Sequence, residues 1–335
     1  MSTCDSCGKP IHKADKSVMV EDYVYHERCC GKFTDWRKCH VCLKIIEKDH
    51  IYRTPFWGKN ICNLHRFDRT PRCSICERYQ NKEERYIKLA DDLILCRDCH
   101  STAIFKEDAL KSLQNYLHRF FKKNNVKFHN DIPIFLVDKK DIENLASLRP
   151  PNLNLSTLTI GRAIKNRPDL FVDIVRSCKL KGSEMEVEKI KTKKLRAPWI
   201  LIRYGLPRQV AGELLAQEMM YIWMQSKEDY KCFNPPITEG ICKAVAYECL
   251  VDTRNDPIGN ALEFVKRLRE FRELKFKEQH SRIYGYGYIG ARTAIQKFGV
   301  KDALKQICKK TDKGRTNATM IMEEDLELDE YDYYA

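Results

Sequence analysis

Cys4-Asp5-Ser6-Cys7 with His26-Glu27-Arg28-Cys29, Cys39-His40-Val41-Cys42 with Cys62-Asn63-Leu64-His65, and Cys73-Ser74-Ile75-Cys76 with Cys96-Arg97-Asp98-Cys99 repeat one pattern three times within the first hundred residues. Eighteen residues separate the two pairs of the first copy, and nineteen those of the second and third. Each copy offers four soft or borderline ligands as two pairs, the spacing of a closed tetrahedral structural zinc site. A segment of about 26 residues cannot bury a core of its own, so the metal must supply the folding energy. The repeat therefore predicts three structural zinc ions. Their ligands are Cys4, Cys7, His26 and Cys29; Cys39, Cys42, Cys62 and His65; and Cys73, Cys76, Cys96 and Cys99. Cys30 competes with Cys29 for the last place of the first copy, and the x2 spacing favours Cys29. His40 and His100 sit beside ligand cysteines and read as exposed neighbours.

The other cysteines, among 16 in all, are scattered without a pairing pattern. The start, MSTCDSCGKP, lacks an apolar targeting region, and no run approaches the roughly 18 apolar residues of a membrane span. Free thiolates must survive to hold zinc, so the expected compartment is reduced, cytoplasmic or nuclear, with no membrane partner. The formal charge is +13. Residues 1–125 carry 24 Lys and Arg against 17 Asp and Glu, and zinc-bound thiolates lower that part to about +3. Residues 126–310 carry 34 against 22, so the basic surface belongs to the second half and not to the fingers.

The expected organisation is α+β. Three zinc modules occupy 1–102, a helical linker 103–125, a mainly helical domain 126–310 and an acidic disordered tail 311–335. Phe105, Ala109, Leu113, Leu117 and Phe121 recur at helical spacing and predict the connecting helix. Ile132–Val137 and Trp199–Ile202 read as buried strands, and Leu148–Leu155 as a loop. The basic run Lys189–Arg196 reads as a solvated strand or loop. Gly205-Leu206-Pro207 turns the chain into a helix from Pro207 to about Gln225 that is apolar almost all round. Further helices are expected at Glu239–Leu250, Asn260–Lys277 and Ala291–Lys309.

Within the apolar helix, Glu218 stands out, because a carboxylate among such neighbours needs a partner or a proton. Gln217 and Tyr221 are four apart and share one face, and Glu239 follows eighteen residues after Tyr221. Two positions at i and i+4, a Glu after the first, and a further acid on the next helix are the frame of a zinc metalloprotease. Both histidines of HExxH are absent here, replaced by Gln217 and Tyr221, and an amide or a phenol is a poor zinc ligand at neutral pH. The plain alternative is that Glu218 pairs with a lysine or arginine across the domain.

Tyr204-Gly205-Leu206-Pro207-Arg208, Gln217-Glu218-Met219-Met220-Tyr221-Ile222-Trp223, Glu239-Gly240-Ile241-Cys242 and Tyr284-Gly285-Tyr286-Gly287 closely resemble the plant DA-one and DA-one-related family. In the fingers the resemblance covers Thr54-Pro55-Phe56-Trp57 and Thr70-Pro71-Arg72-Cys73-Ser74-Ile75-Cys76-Glu77-Arg78, and it spans roughly residues 4–310. Those proteins are LIM-domain peptidases that regulate organ size, are activated by ubiquitylation and carry HEMMHAW at this position. The resemblance implies a gluzincin-like second domain in which Gln217 and Tyr221 replace the zinc histidines. Glu218 then keeps the place of the general base and Glu239 that of the third ligand. It makes the first copy the second finger of a LIM domain, and the next two its LIM-like pair. The first LIM finger and a ubiquitin-interacting motif are missing from this sequence, which departs from the family pattern.

The expected function is a LIM-type interaction scaffold with an inactive peptidase domain, lacking the catalytic zinc. The resemblance suggests a regulator in ubiquitin-linked growth or defence signalling in plants. Its partners would be proteins: ubiquitin, ubiquitylated proteins or active family members. Two other readings compete: a working zinc peptidase with an atypical site, and a nucleic-acid-binding zinc protein. The copies lack the C2H2 layout with a recognition helix and are near neutral once metallated, which disfavours nucleic acid.

Overall fold

The computed structural model describes residues 3–4, 7–12, 14–20, 23–27, 29, 38–44, 46, 51–54, 56–89, 93–128, 131–140, 161–164, 173–181, 184–191, 199–230, 233, 235–256, 263–278 and 285–311. The loop expected at 148–155 and residues 312–335 of the acidic tail expected at 311–335 lie outside the described residues, as do Cys30 and residues 192–196 of the basic run. The chain divides into two compact units, one of residues 1–87 and 93–97, the other of 88–92 and 98–335.

The first unit is built from short elements. β1 (Ser17–Val20) and β2 (Tyr23–His26) form an antiparallel hairpin that delivers His26 to the first cluster. β3 (Ile51–Arg53) and β4 (Asn60–Cys62) form a second hairpin, which ends on Cys62 and continues into α1 (Leu64–Phe67), bearing His65. Of the two-residue strands, β6 (Ile94–Leu95) and Ile87 of β5 (Ile87–Lys88) belong to this unit, and the chain leaves it within α2 (Arg97–Ser101), which carries Cys99. Among the described residues, apolar burial here comes in small groups. Cys4, Ile11 and Tyr25 make one cluster, Cys39, Val41, Ile46, Ile61 and Tyr79 another, and Ile75, Tyr86, Leu93 and Leu95 are buried as well. Groups this small do not offset chain entropy without metal.

The second unit has a conventional core. α3 (Glu107–Lys123) buries Leu110, Leu113, Tyr116, Leu117, Phe120 and Phe121, with acids in its first turn and lysines in its last, as the helix dipole favours. This is the helix that the four-residue periodicity predicts, and Tyr116 donates to Asp252 at 2.8 Å. β7 (Ile134–Val137), β8 (Gly161–Ile164) and β11 (Trp199–Arg203) form a three-stranded sheet with β11 in the centre, parallel to β7 and antiparallel to β8. All five residues of β11 are buried, which explains its unbroken apolar run. Between β8 and β11, β9 (Asp173–Lys181) and β10 (Glu184–Lys191) pair antiparallel with a register shift at Glu188/Lys189.

Gly205, at φ +81, turns β11 into α4 (Arg208–Gln225). The turn is pinned by Ile104 donating to the Leu206 carbonyl at 2.9 Å and Gly205 donating to that of Ile104 at 2.9 Å. Arg208 bonds Asp256 at 2.8 Å, both side chains largely buried. α4 is buried on nearly all sides, and α5 (Pro235–Asp252), α6 (Glu263–Glu278), α7 (Gly285–Phe298) and α8 (Val300–Thr311) complete the unit. The helix expected over Ala291–Lys309 is two helices, because Gly299 at φ +74 breaks it and lets α8 bury Ala303, Leu304 and Ile307 separately. α5 and α7 cross at Gly240, where a Cβ would stand 2.4 Å from the Gly287 carbonyl carbon. That approach leaves no room for any side chain.

Candidate functional sites

The three repeats close into three clusters: Cys4, Cys7, His26 and Cys29; Cys39, Cys42, Cys62 and His65; Cys73, Cys76, Cys96 and Cys99. In each, one ligand atom per residue lies within 4.8 Å of the others. The first pair of every cluster folds identically. Cys4, Cys39 and Cys73 donate their N–H to the carbonyls of Lys9, Lys44 and Arg78 at 2.9, 2.8 and 2.9 Å. Their carbonyls accept from Gly8, Leu43 and Glu77 at 2.8, 2.9 and 2.9 Å. The residue after each second cysteine is left-handed, at φ +68, +62 and +59 for Gly8, Leu43 and Glu77. A Cys-x-x-Cys closing on a left-handed residue points both sulfurs at one point, and only the first copy uses glycine there.

The two histidines present different nitrogens. His26 Nδ1 lies 3.6 Å from Cys7 Sγ and 3.9 Å from Cys29 Sγ, while its Nε2 faces the Pro10 carbonyl at 3.3 Å. His65 does the reverse. Its Nδ1 bonds Asp68 Oδ2 at 2.6 Å and Thr70 Oγ1 at 3.0 Å, leaving Nε2 buried without a hydrogen-bond partner. A buried ring nitrogen aimed at three cysteines, with a carboxylate behind it, is the arrangement a zinc-bound histidine takes. Burial and the neighbouring Cys39 sulfur push the Cys62 thiol up to about 11, so a cation is needed to hold the site as thiolates. Soft sulfur and imidazole in fours fit three structural zinc ions. The ring nitrogens of His40 and His100 belong to none of the clusters, and burial pushes both imidazoles towards the neutral form. Both are half-buried, where the sequence reading expects exposure.

In the second unit the fold brings Gln217 and Glu239 together. The amide Nε2 of Gln217, on α4, donates to Glu239 Oε1, on α5, at 3.1 Å. Glu218 is half-buried and Tyr221 is 39% exposed. The thiol of Cys242, one turn beyond Glu239, is pushed well up by burial and by the charges of Glu239 and Glu218. Such a thiol is inert as a nucleophile. The most deeply buried charge on α4 is not Glu218 but Glu213, 4% exposed. Arg272 of α6 clamps it, with Nη2 to Oε1 at 2.6 Å and Nε to Oε2 at 3.0 Å. Sequence reasoning missed this pair, because nothing local marks Arg272, 59 positions away, as its partner. Asp68 was missed too, although its place three residues after His65 is a readable signal.

A family model described as DA1-like, Protein DA1, matches residues 123–256. LIM domain-containing protein HDR3 of Oryza sativa subsp. japonica is 28% identical over 338 residues, covering 91% of this chain and 67% of the relative. Protein DA1 of Arabidopsis thaliana is 27% identical over 330 residues, covering 91% and 61%. Protein DA1-related 2 of Arabidopsis thaliana is 29% identical over 342 residues, covering 91% and 63%. The chain thus spans less than two thirds of the length of both Arabidopsis proteins. No solved structure matches significantly. The matched segment carries Gln217, Glu218, Tyr221 and Glu239, and the similarity to these DA1 and LIM-domain relatives reaches across nine tenths of the sequence.

Proposed function

We propose that this protein is a zinc-stabilised LIM-type interaction scaffold whose second unit keeps a gluzincin-like peptidase frame without its chemistry. The observation that carries the reading is the hydrogen bond from Gln217 Nε2 to Glu239 Oε1 at 3.1 Å. A carboxylate accepts and the amide N–H donates, so the donor edge of Gln217 faces the acid that would complete a metal site. An N–H cannot coordinate a cation, and the bond engages an oxygen that a metal would require. A catalytic zinc lowers the pKa of its water from 15.7 to about 7, and without it Glu218 has no activated nucleophile to serve. What is left is a rigid surface on zinc modules, suited to binding proteins: substrates or ubiquitin-bearing partners of the family, or its active members. Growth regulation of the kind associated with the family would then proceed by competition and not by cleavage.

Metal analysis of the full chain by native mass spectrometry tests this. Three zinc ions per chain are expected, unchanged by Glu239→Ala. A fourth ion that disappears in Glu239→Ala, or cleavage of a family substrate abolished by Glu218→Gln, overturns the reading in favour of an atypical working peptidase.

A further inference from the structure

A guanidinium reaches into the third cluster. Arg78, two residues beyond Cys76, directs Nη2 at Cys96 Sγ at 2.9 Å and Nε at Cys76 Sγ at 3.3 Å. Its guanidinium lies 5.1 Å from the ring centre of Trp57, which belongs to the second module. The Trp57 indole N–H donates to the Cys76 carbonyl at 2.7 Å. One side chain thus touches two of the four sulfurs while resting on an aromatic ring whose own N–H grips the same ligand residue.

Four thiolates around Zn2+ carry a net charge of −2, against −1 for the three thiolates and one imidazole of either other cluster. All four cysteines of the third cluster are buried, so that charge cannot be relieved by water. We propose that Arg78 is the positioning residue of the third zinc site: its guanidinium bridges the Cys76 and Cys96 sulfurs, offsets the excess negative charge and couples metal retention to the packing of Trp57. Two N–H donors spread in a fixed fork match two sulfurs of one tetrahedron, and a lysine ammonium does not reproduce that geometry. The same contacts tie the second module to the third, since Tyr79, the next residue, completes the core around Cys39, Val41, Ile46 and Ile61. The inference concerns the zinc frame alone and holds whether or not the second unit cleaves peptides.

The test uses the full chain with Arg78→Gln and Arg78→Lys, the former keeping one N–H donor without charge. Zinc release to a chromophoric chelator is followed in time, and cobalt-substituted protein supplies a spectroscopic signature of the sulfurs. In Arg78→Gln, one ion of three should leave 10–100-fold faster, the range for loss of an outer-shell partner, while two keep their rates. The thiolate-to-cobalt charge-transfer band should move to lower energy, because the sulfurs lose a cationic donor. Arg78→Lys should recover part of the rate and little of the band position. Trp57→Phe, which keeps the ring and removes the indole N–H, should speed release of the same ion to a smaller degree. Unchanged release with an unshifted band overturns the proposal, as does equal acceleration of all three ions.

Discussion

At the scale of single residues, what settles the zinc sites is which atom each side chain leaves free. His26 and His65 are the same residue type at the same kind of position, yet one faces its sulfurs through Nδ1 and the other through Nε2. The difference comes from what sits behind each ring, the Pro10 carbonyl for His26 and the Asp68 carboxylate for His65. Thr70, by its hydroxyl and backbone bonds, and the His65 ring hold Asp68 below the usual carboxylate range, so it stays an acceptor for the Nδ1 proton. Asp68→Asn should therefore weaken zinc at the second site about 10–100-fold and leave the other two unaffected, read by competition with a chelator of known affinity. The ligands themselves were legible from spacing, because a closed site needs four of them at short intervals. Their tautomers were not, since these depend on neighbours that spacing does not position.

At the scale of elements, the two helices that meet at Gly240 decide where the second unit's polar groups lie. α5 runs against α4 on one side and α7 on the other, so its half-buried acids face other helices and not only water. Glu248 shows the consequence. Burial raises its carboxyl above the ordinary 4.5, opposed by the charge of Arg292 and a hydrogen bond from Gln296. An acid held above its unfolded value binds its proton more tightly in the folded state. It therefore costs stability progressively as pH rises from its unfolded value through its folded one, and the cost persists above that. Glu248→Gln is expected to raise the melting temperature at pH 7, with the gain vanishing on acidification below the ordinary value of 4.5; parallel thermal melts of the two proteins across pH would show it. Helix existence was readable in most cases, from four-residue periodicity in α3 and from the turn at Gly205 before α4. The Gly299 break was not, because one glycine within an amphipathic run gains meaning only from how the two halves pack. Glu213 and Arg272 escaped for a related reason, as a buried ion pair joins elements distant in sequence.

At the scale of the whole molecule, the two units are stabilised by different physics. Among the described residues, the first holds small apolar groups and every metal ligand but Cys99, the second a large core drawn from a sheet and a set of helices. Removing zinc should separate them. A strong chelator is expected to abolish the near-ultraviolet signal of Trp57 and to open the first unit to protease. Most of the helical far-ultraviolet signal, which arises from the second unit, should persist; its loss in one cooperative step would show that the metal sites hold both units. The sequence by itself determined the zinc ligands, the central strand and the main helices, because those depend on residue type and on periods of a few positions. It also marked Gln217, Glu218, Tyr221 and Glu239 as the candidates for a degenerate metal site. Only the tertiary structure decided that Gln217 turns its N–H on Glu239, that Glu213 and not Glu218 is the deeply buried charge, and that Arg78 reaches two sulfurs at once. Those are facts about directions and distances between side chains far apart or on opposed elements, which short-range pattern cannot encode.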